Sequence, residues 1–293
     1  MGESGPGHRG RLPVVVLVTP PSRERWRQWE GRLEHATWTV RILIVVIGGA
    51  ILYKILSAHK GVEMRIRRIP GISAIDEAVG RATEMGRPVL FCPGVGGLEI
   101  NTFAALAVLG RVARQAAKYG IRVFVPVMNA AIYPIAEEVV REAYQAEGRV
   151  EDFRPDDVRF FSERQDAFAS ATSGLIERER IAAQFLFGGY GYESLILAET
   201  GQRIGAIQVA ATDSIFQVPF FICACDYTMI GEELFAASAY LSRDPTMLGS
   251  LVGQDIGKIV IMAIVLIGFV VTTIWTATTR DMYFNWLIGI LNR

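Results

Sequence analysis

Two glycine-rich turns offer the sequence its best chance of chemistry. "CPGVGGLE" (Cys92 to Glu99) follows the apolar run "PVLFC", and "FGGYGYES" (Phe187 to Ser194) follows "AAQFLF". A strand, a glycine turn and a helix in that order can present backbone amides to a phosphate. Gly94 and Gly96 match the opening of a dinucleotide fingerprint, with Gly97 beside them, but Glu99 stands where the third glycine belongs. A carboxylate at that helix N-terminus competes with a pyrophosphate for the same amides. The second strand ends in "VPVMNAA", so Asn129 stands where a ribose-binding acid is expected. No Gly-x-x-x-x-Gly-Lys occurs. Gly94, Gly96 and Gly97 are therefore expected to serve a tight turn and close packing.

The alternative is a ligand cleft comprising Gly94, Gly96, Gly97, Gly189, Gly191, Asp213 and Asp226. Both turns should emerge at the carboxyl edge of a sheet, where open α/β folds bind ligands. Asp213 after "QVAAT" and Asp226 after "FICAC" are expected on the same edge, near Glu193, Glu232, Glu233, Tyr190, Tyr192 and Tyr227. Acids at strand ends can hold Mg²⁺ or act as general bases, but they also cap helices. Capping and loop bracing are the preferred reading.

The residue inventory weighs against catalysis. His8, His35 and His59 all lie outside residues 61–251, so that segment has no imidazole for proton transfer or metal binding. A Ser-His-Asp or Cys-His arrangement within it is excluded, and Gly-x-Ser-x-Gly is absent. Cys92, Cys223 and Cys225 fall in apolar runs read as strands, which suits buried reduced thiols better than zinc or disulfides. No catalytic residue, metal ligand or cofactor is assigned.

The elements that must position these residues alternate regularly. Helices are expected at Ser73 to Gly86, with Ser73 as N-cap, and at Asn101 to Tyr119, stopped by Gly120. Further helices are expected at Pro134 to Gln145, around Gln165 to Arg178, at Glu193 to Thr200 closed by Gly201, and at Thr228 to Ser242. The strands between them are "PVLFC", "IRVFVPV", "VRFFS", "AAQFLFG", "AIQVAAT" and "PFFICACD". Such alternation predicts parallel βαβ units with right-handed crossovers, hence an α/β, three-layer Rossmann-like domain with a mostly parallel sheet.

Hydrophobic residues make up 51% of the 293 residues, and the excess lies in two runs, 37–56 and 257–277. Each approaches the roughly 20 apolar residues of a bilayer span. The resulting order is an Arg-rich segment (1–36), a transmembrane helix (37–56), the α/β domain (61–251), a second transmembrane helix (257–277) and an interfacial or docking helix (281–293). Basic residues flank the first span on both sides, so orientation is poorly specified; the free thiols favour a cytoplasmic domain. A formal net charge of zero argues against nucleic acid as a partner. Arg65, Arg67 and Arg68 are better matched to anionic lipid headgroups.

"MRIRRIPGISAIDEAVGRATEMGRPVLF", "ESLILAETG" and "ICACDYTMIGEELFAASAYLSRDP" together give the chain a family likeness. Over about Met64 to Gly257 it resembles an uncharacterised prokaryotic family of membrane-anchored proteins carrying a domain of unknown function. The resemblance implies a compact α/β domain beside transmembrane helices and supplies no activity. The chemistry of the residues leads to the expectation of a non-catalytic scaffold or assembly subunit. Its expected partners are the lipid bilayer and either further copies of itself or other subunits of a membrane complex. Gly48, Gly49 and Ala50 would permit close helix approach in lipid. A nucleotide- or metabolite-binding module, enzymatic or not, at the carboxyl-edge cleft is the alternative.

Overall fold

The computed structural model describes residues 38–59, 70–242 and 245–279. They divide into a large unit within 47–265 and a small one holding 38–46 and 266–279. The Arg-rich segment, Arg65 to Arg68 and the helix expected at 281–293 lie outside the described residues.

Six parallel strands form one sheet: β1 (Val89–Cys92), β2 (Val123–Val127), β3 (Val158–Phe160), β4 (Ala183–Phe187), β5 (Ile207–Thr212) and β6 (Tyr227–Ile230). Their spatial order is β3-β2-β1-β4-β5-β6, with every neighbouring pair parallel. The α/β class read from the strand–helix alternation holds.

Period-two alternation sorts the strand residues between two cores. Val89, Phe91, Val125, Phe185, Phe187 and Val209 belong to one core. It is completed by α2 (Pro70–Met85), α3 (Ile100–Tyr119), α4 (Tyr133–Ala146) and α8 (Glu232–Ser242). Leu90, Cys92, Phe124, Leu186 and Ala210 belong to the other, with α5 (Gln165–Glu179), α6 (Glu193–Arg203) and α7 (Val218–Ala224). Burial on both faces is why these strands read as continuous apolar runs.

Gly120 ends α3 in the left-handed region at φ 72°, as its position predicts. Other boundaries differ from expectation. Ser73 lies inside α2, which includes Pro70, and so does not cap it. Gly201 lies inside α6, not after it. A Cβ there would come within 2.7 Å of Gln208 Oε1, so this glycine lets α6 sit close to the sheet. Gln184 and Gln208, both buried, donate from Nε2 to the Leu197 and Ala198 carbonyls of that helix at 3.1 and 2.8 Å.

Among the described residues, two helices are long and apolar enough to cross a membrane: α1 (Trp38–His59) and α9 (Pro245–Thr279). The second apolar run thus belongs to a longer helix than expected. Within the large unit, Gly249, Gly253 and Gly257 of α9 face α1. A Cβ on the first two would lie 2.6 Å from Ile55 Cα and 2.7 Å from Ile51 Cα, and one on Gly257 3.2 Å from Ile47 Cγ2. Three glycines at four-residue spacing form the groove in which α1 lies, the close backbone approach that small residues permit.

Candidate functional site

Strand order reverses between β1 and β4, which makes the carboxyl end of that pair the place where an open α/β sheet opens a ligand crevice. Both glycine turns emerge there, and they meet. Val95 N–H donates to the Gly189 carbonyl at 2.9 Å. Gly94 sits at φ 88° and Gly188 at φ 114°, a backbone region that side chains disfavour. A Cβ on Gly94 would lie 2.6 Å from Gly189 O, and one on Gly188 2.7 Å from Pro93 O. These glycines are spent on backbone-to-backbone packing, which closes the two loops onto each other.

Beneath the junction, the buried Tyr190 hydroxyl donates to the Cys92 carbonyl at 2.8 Å, and its ring meets Phe221 edge-on at 5.5 Å. Burial pushes the Cys92 thiol up to about 11 and raises the Tyr190 phenol well above its ordinary value. Neither group is poised for proton transfer near neutral pH.

The remaining residues ring this junction. Glu99 occupies the N-cap of α3 but makes no side-chain capping bond, so it does not take the amides that a phosphate would use. Its Oε2 would be 3.2 Å from a Cβ on Gly96, and Asn129 Nδ2 would be 3.3 Å from one on Gly97. Asn129 Oδ1 accepts from Ala131 N–H at 2.9 Å and so braces its own turn. Gly191 N–H donates to Glu193 Oε1. That carboxylate is wholly buried in the first turn of α6, where the helix dipole favours it, and its Oε2 has no hydrogen-bond partner. Thr102, buried in the first turn of α3, likewise has no partner for Oγ1.

Asp213 follows β5 at the carboxyl edge, where its Oδ1 accepts from Asn101 Nδ2 at 2.8 Å. It ties that loop to the first turn of α3, a bracing role. Asp226 lies elsewhere. The run "PFFICACD" forms α7 and the turn after it, not a strand, so Asp226 precedes β6 and sits at the amino edge. Its Oδ2 accepts from Gln208 N–H at 2.8 Å, at the start of β5. Tyr227, which begins β6, leaves the cleft for the same reason. Glu233 Oε2 accepts from Ile230 N–H at 3.1 Å, and Glu232 pairs with Lys258. Seven cleft residues were expected together; Gly94, Gly96, Gly97, Gly189, Gly191 and Asp213 share the carboxyl edge, and Asp226 does not. Glu193 and Thr102 are the polar groups there whose burial no sequence pattern indicates.

The thiols also part company. Cys92 is buried, Cys225 half-buried and pushed up to about 12 chiefly by burial, and Cys223, in α7, is exposed. The expectation that all three are core strand residues holds for Cys92 and fails for the other two: α7 turns Cys223 outward, and Cys225 caps the end of α7, half-buried and outside any strand. Iodoacetamide at pH 8 is expected to modify Cys223 in the native chain and to reach Cys92 only after denaturation, as read by peptide mass mapping. Equal native labelling of both would contradict this arrangement.

A second concavity, of about 570 Å³, lies in the large unit between α3, α8 and α9, lined by Phe103, Phe235 and Leu251 with Glu232, Ser238 and Gln254. Among the described residues no group of three or more His, Cys, Asp or Glu side chains is placed to hold a metal ion.

The chain belongs to the family described as a domain of unknown function (DUF6754), whose model matches residues 30–283. No curated protein and no solved structure matches it.

Proposed function

We propose that this chain is a membrane-anchored, non-catalytic α/β subunit that assembles with further copies of itself, its central domain on the cytoplasmic side. The observation that carries this reading is the contact between the loops after β1 and β4. At the place where such a sheet would take a nucleotide the two loops touch backbone to backbone, through Gly94, Gly188 and Gly189. With the buried Cys92 and Tyr190 beneath it, this junction supplies rigidity and no reactive group.

The two apolar helices supply the anchor. Val45, at 72% exposure, and Ile264, at 53%, have no protein cover that would explain their hydrophobicity, whereas lipid would. Among the described residues, nothing outside their own helix backbone lies within 4 Å of where a Cβ on Gly48 or Gly49 of α1 would stand. That face of α1 can approach a helix of another subunit closely, while its isoleucine face is occupied by α9. Deleting residues 37–56 is expected to leave the protein membrane-bound through α9. Release of the intact chain by alkaline carbonate would overturn the anchoring.

A second reading is favoured by Glu193 Oε2 and Thr102 Oγ1, buried oxygens without a partner among the described residues, beside the loop junction. A small polar ligand reaching them would satisfy both, and such a ligand would remain bound through purification.

A further inference from the structure

The course of α9 fixes which end of the sheet meets the membrane. The helix α8 begins just beyond the carboxyl end of β6 and runs back toward the amino edge. Met247, near the start of α9, lies against Ser238 and Ser242 at the far end of α8, with Sδ 3.7 and 3.8 Å from their hydroxyls. Lys258, eleven residues later, pairs with Glu232 at the near end. So α9 climbs antiparallel to α8 and reaches the carboxyl edge at about residue 258. Ile259, Met262 and Val265, all exposed, then project past it.

The loop tips of that same edge carry large apolar side chains in water-facing positions. Phe216 is 84% exposed, Ile215 83% and Ile100 76%, and Leu98, Tyr192 and Ile230 are exposed beside them. They come from the loops after β1, β4 and β5 and from the end of β6, so no single turn explains them. The acids Glu99 and Asp213 stand among these tips, and Lys258 is already paired, so the rim does not suit an anionic surface.

We propose that the carboxyl edge of the sheet rests on the bilayer from which α9 emerges, with the Ile215–Phe216 tip inserted among zwitterionic headgroups. The inference rests on the reading that α9 crosses a membrane from about residue 258 on; residues 47–55 of α1, which lie along Gly249 to Gly257 of α9, then flank the domain at the membrane surface. Aromatic and branched apolar side chains at an interface gain from partial burial in lipid, and the span brings them there without a separate binding step. It also gives the closed crevice a consequence: the edge at which related architectures admit ligands is turned toward lipid.

The test uses the full chain with Cys223→Ser and Cys225→Ser, reconstituted in phosphatidylcholine vesicles containing a doxyl-labelled lipid. An environment-sensitive dye is attached after Phe216→Cys, Ile100→Cys, Ile261→Cys on α9, or Gln202→Cys at the amino edge. Dyes at 216, 100 and 261 are expected to emit at shorter wavelength and lose most of their intensity to the doxyl lipid. The dye at 202 should behave as in water. Quenching at 261 without quenching at 216 and 100 overturns the docked edge and leaves the anchor standing. Absence of quenching at 261 overturns the anchor and the docked edge with it. A dye at 216 shielded from aqueous iodide yet untouched by doxyl lipid marks a protein partner on this edge and also overturns the proposal.

Discussion

Gly94→Val is expected to destabilise the α/β domain by about 3 kcal/mol or more, enough to lower its thermal midpoint by many degrees or prevent folding. Two costs combine. The residue sits at φ 88°, a region β-branched residues avoid, and its Cβ would lie 2.6 Å from the Gly189 carbonyl oxygen. That oxygen is backbone, held by the 2.9 Å bond from Val95 N–H, so it cannot swing aside as a flexible side chain would. Gly189→Ala is the matched control, because a Cβ there has nothing within 4 Å and its φ is not in the left-handed region. It should shift the midpoint little. Thermal unfolding followed by circular dichroism separates the two, and equal effects would refute the closed junction.

Gly253→Val should separate α9 from α1 while leaving the sheet intact. A Cβ at 253 would stand 2.7 Å from Ile51 Cα, and the flanking glycines 249 and 257 hold the same close approach. Overpacking of this kind costs about 2 kcal/mol. If the pair opens locally, that cost corresponds to roughly thirty-fold faster amide exchange along residues 47–59. Exchange in β1 and β4 should be unchanged, since the contact involves neither strand. Hydrogen exchange by mass spectrometry checks both halves. Unchanged protection of α1 would mean that the glycine column is not what holds it.

Much of the fold was legible because burial on both faces leaves a strong mark. Apolar runs of five to eight residues alternated with longer amphipathic segments, and a parallel three-layer sheet is the arrangement that satisfies both. The positions of the two glycine turns on one edge followed from that alternation. Their contact did not, since it joins Val95 to Gly189 across nearly a hundred residues and depends on which strands are neighbours. The run around "PFFICACD" misled for a different reason: short apolar stretches fit a buried strand and a short helix equally well. Pro219 in the first turn marks the helix, and moving the strand start to Tyr227 carried Asp226 to the opposite edge. The four-residue spacing of Gly249, Gly253 and Gly257 is visible in the sequence, whereas its partner, the isoleucine face of α1, is not. Glu193 and Thr102 carry no sequence signature, because burial of an acid or a hydroxyl beside a loop junction is decided by tertiary packing alone.

On the function proposed above, the chain works by assembling in a membrane and not by turning over a bound nucleotide. Native mass spectrometry of the protein extracted from its membrane in mild detergent, with no ligand added, tests it most directly. The predicted result is a homo-oligomer whose mass is an integer multiple of the chain's, apart from bound lipid. A monomer across several gentle detergents, carrying a stoichiometric nucleotide or small metabolite that Gly96→Val removes, would contradict it.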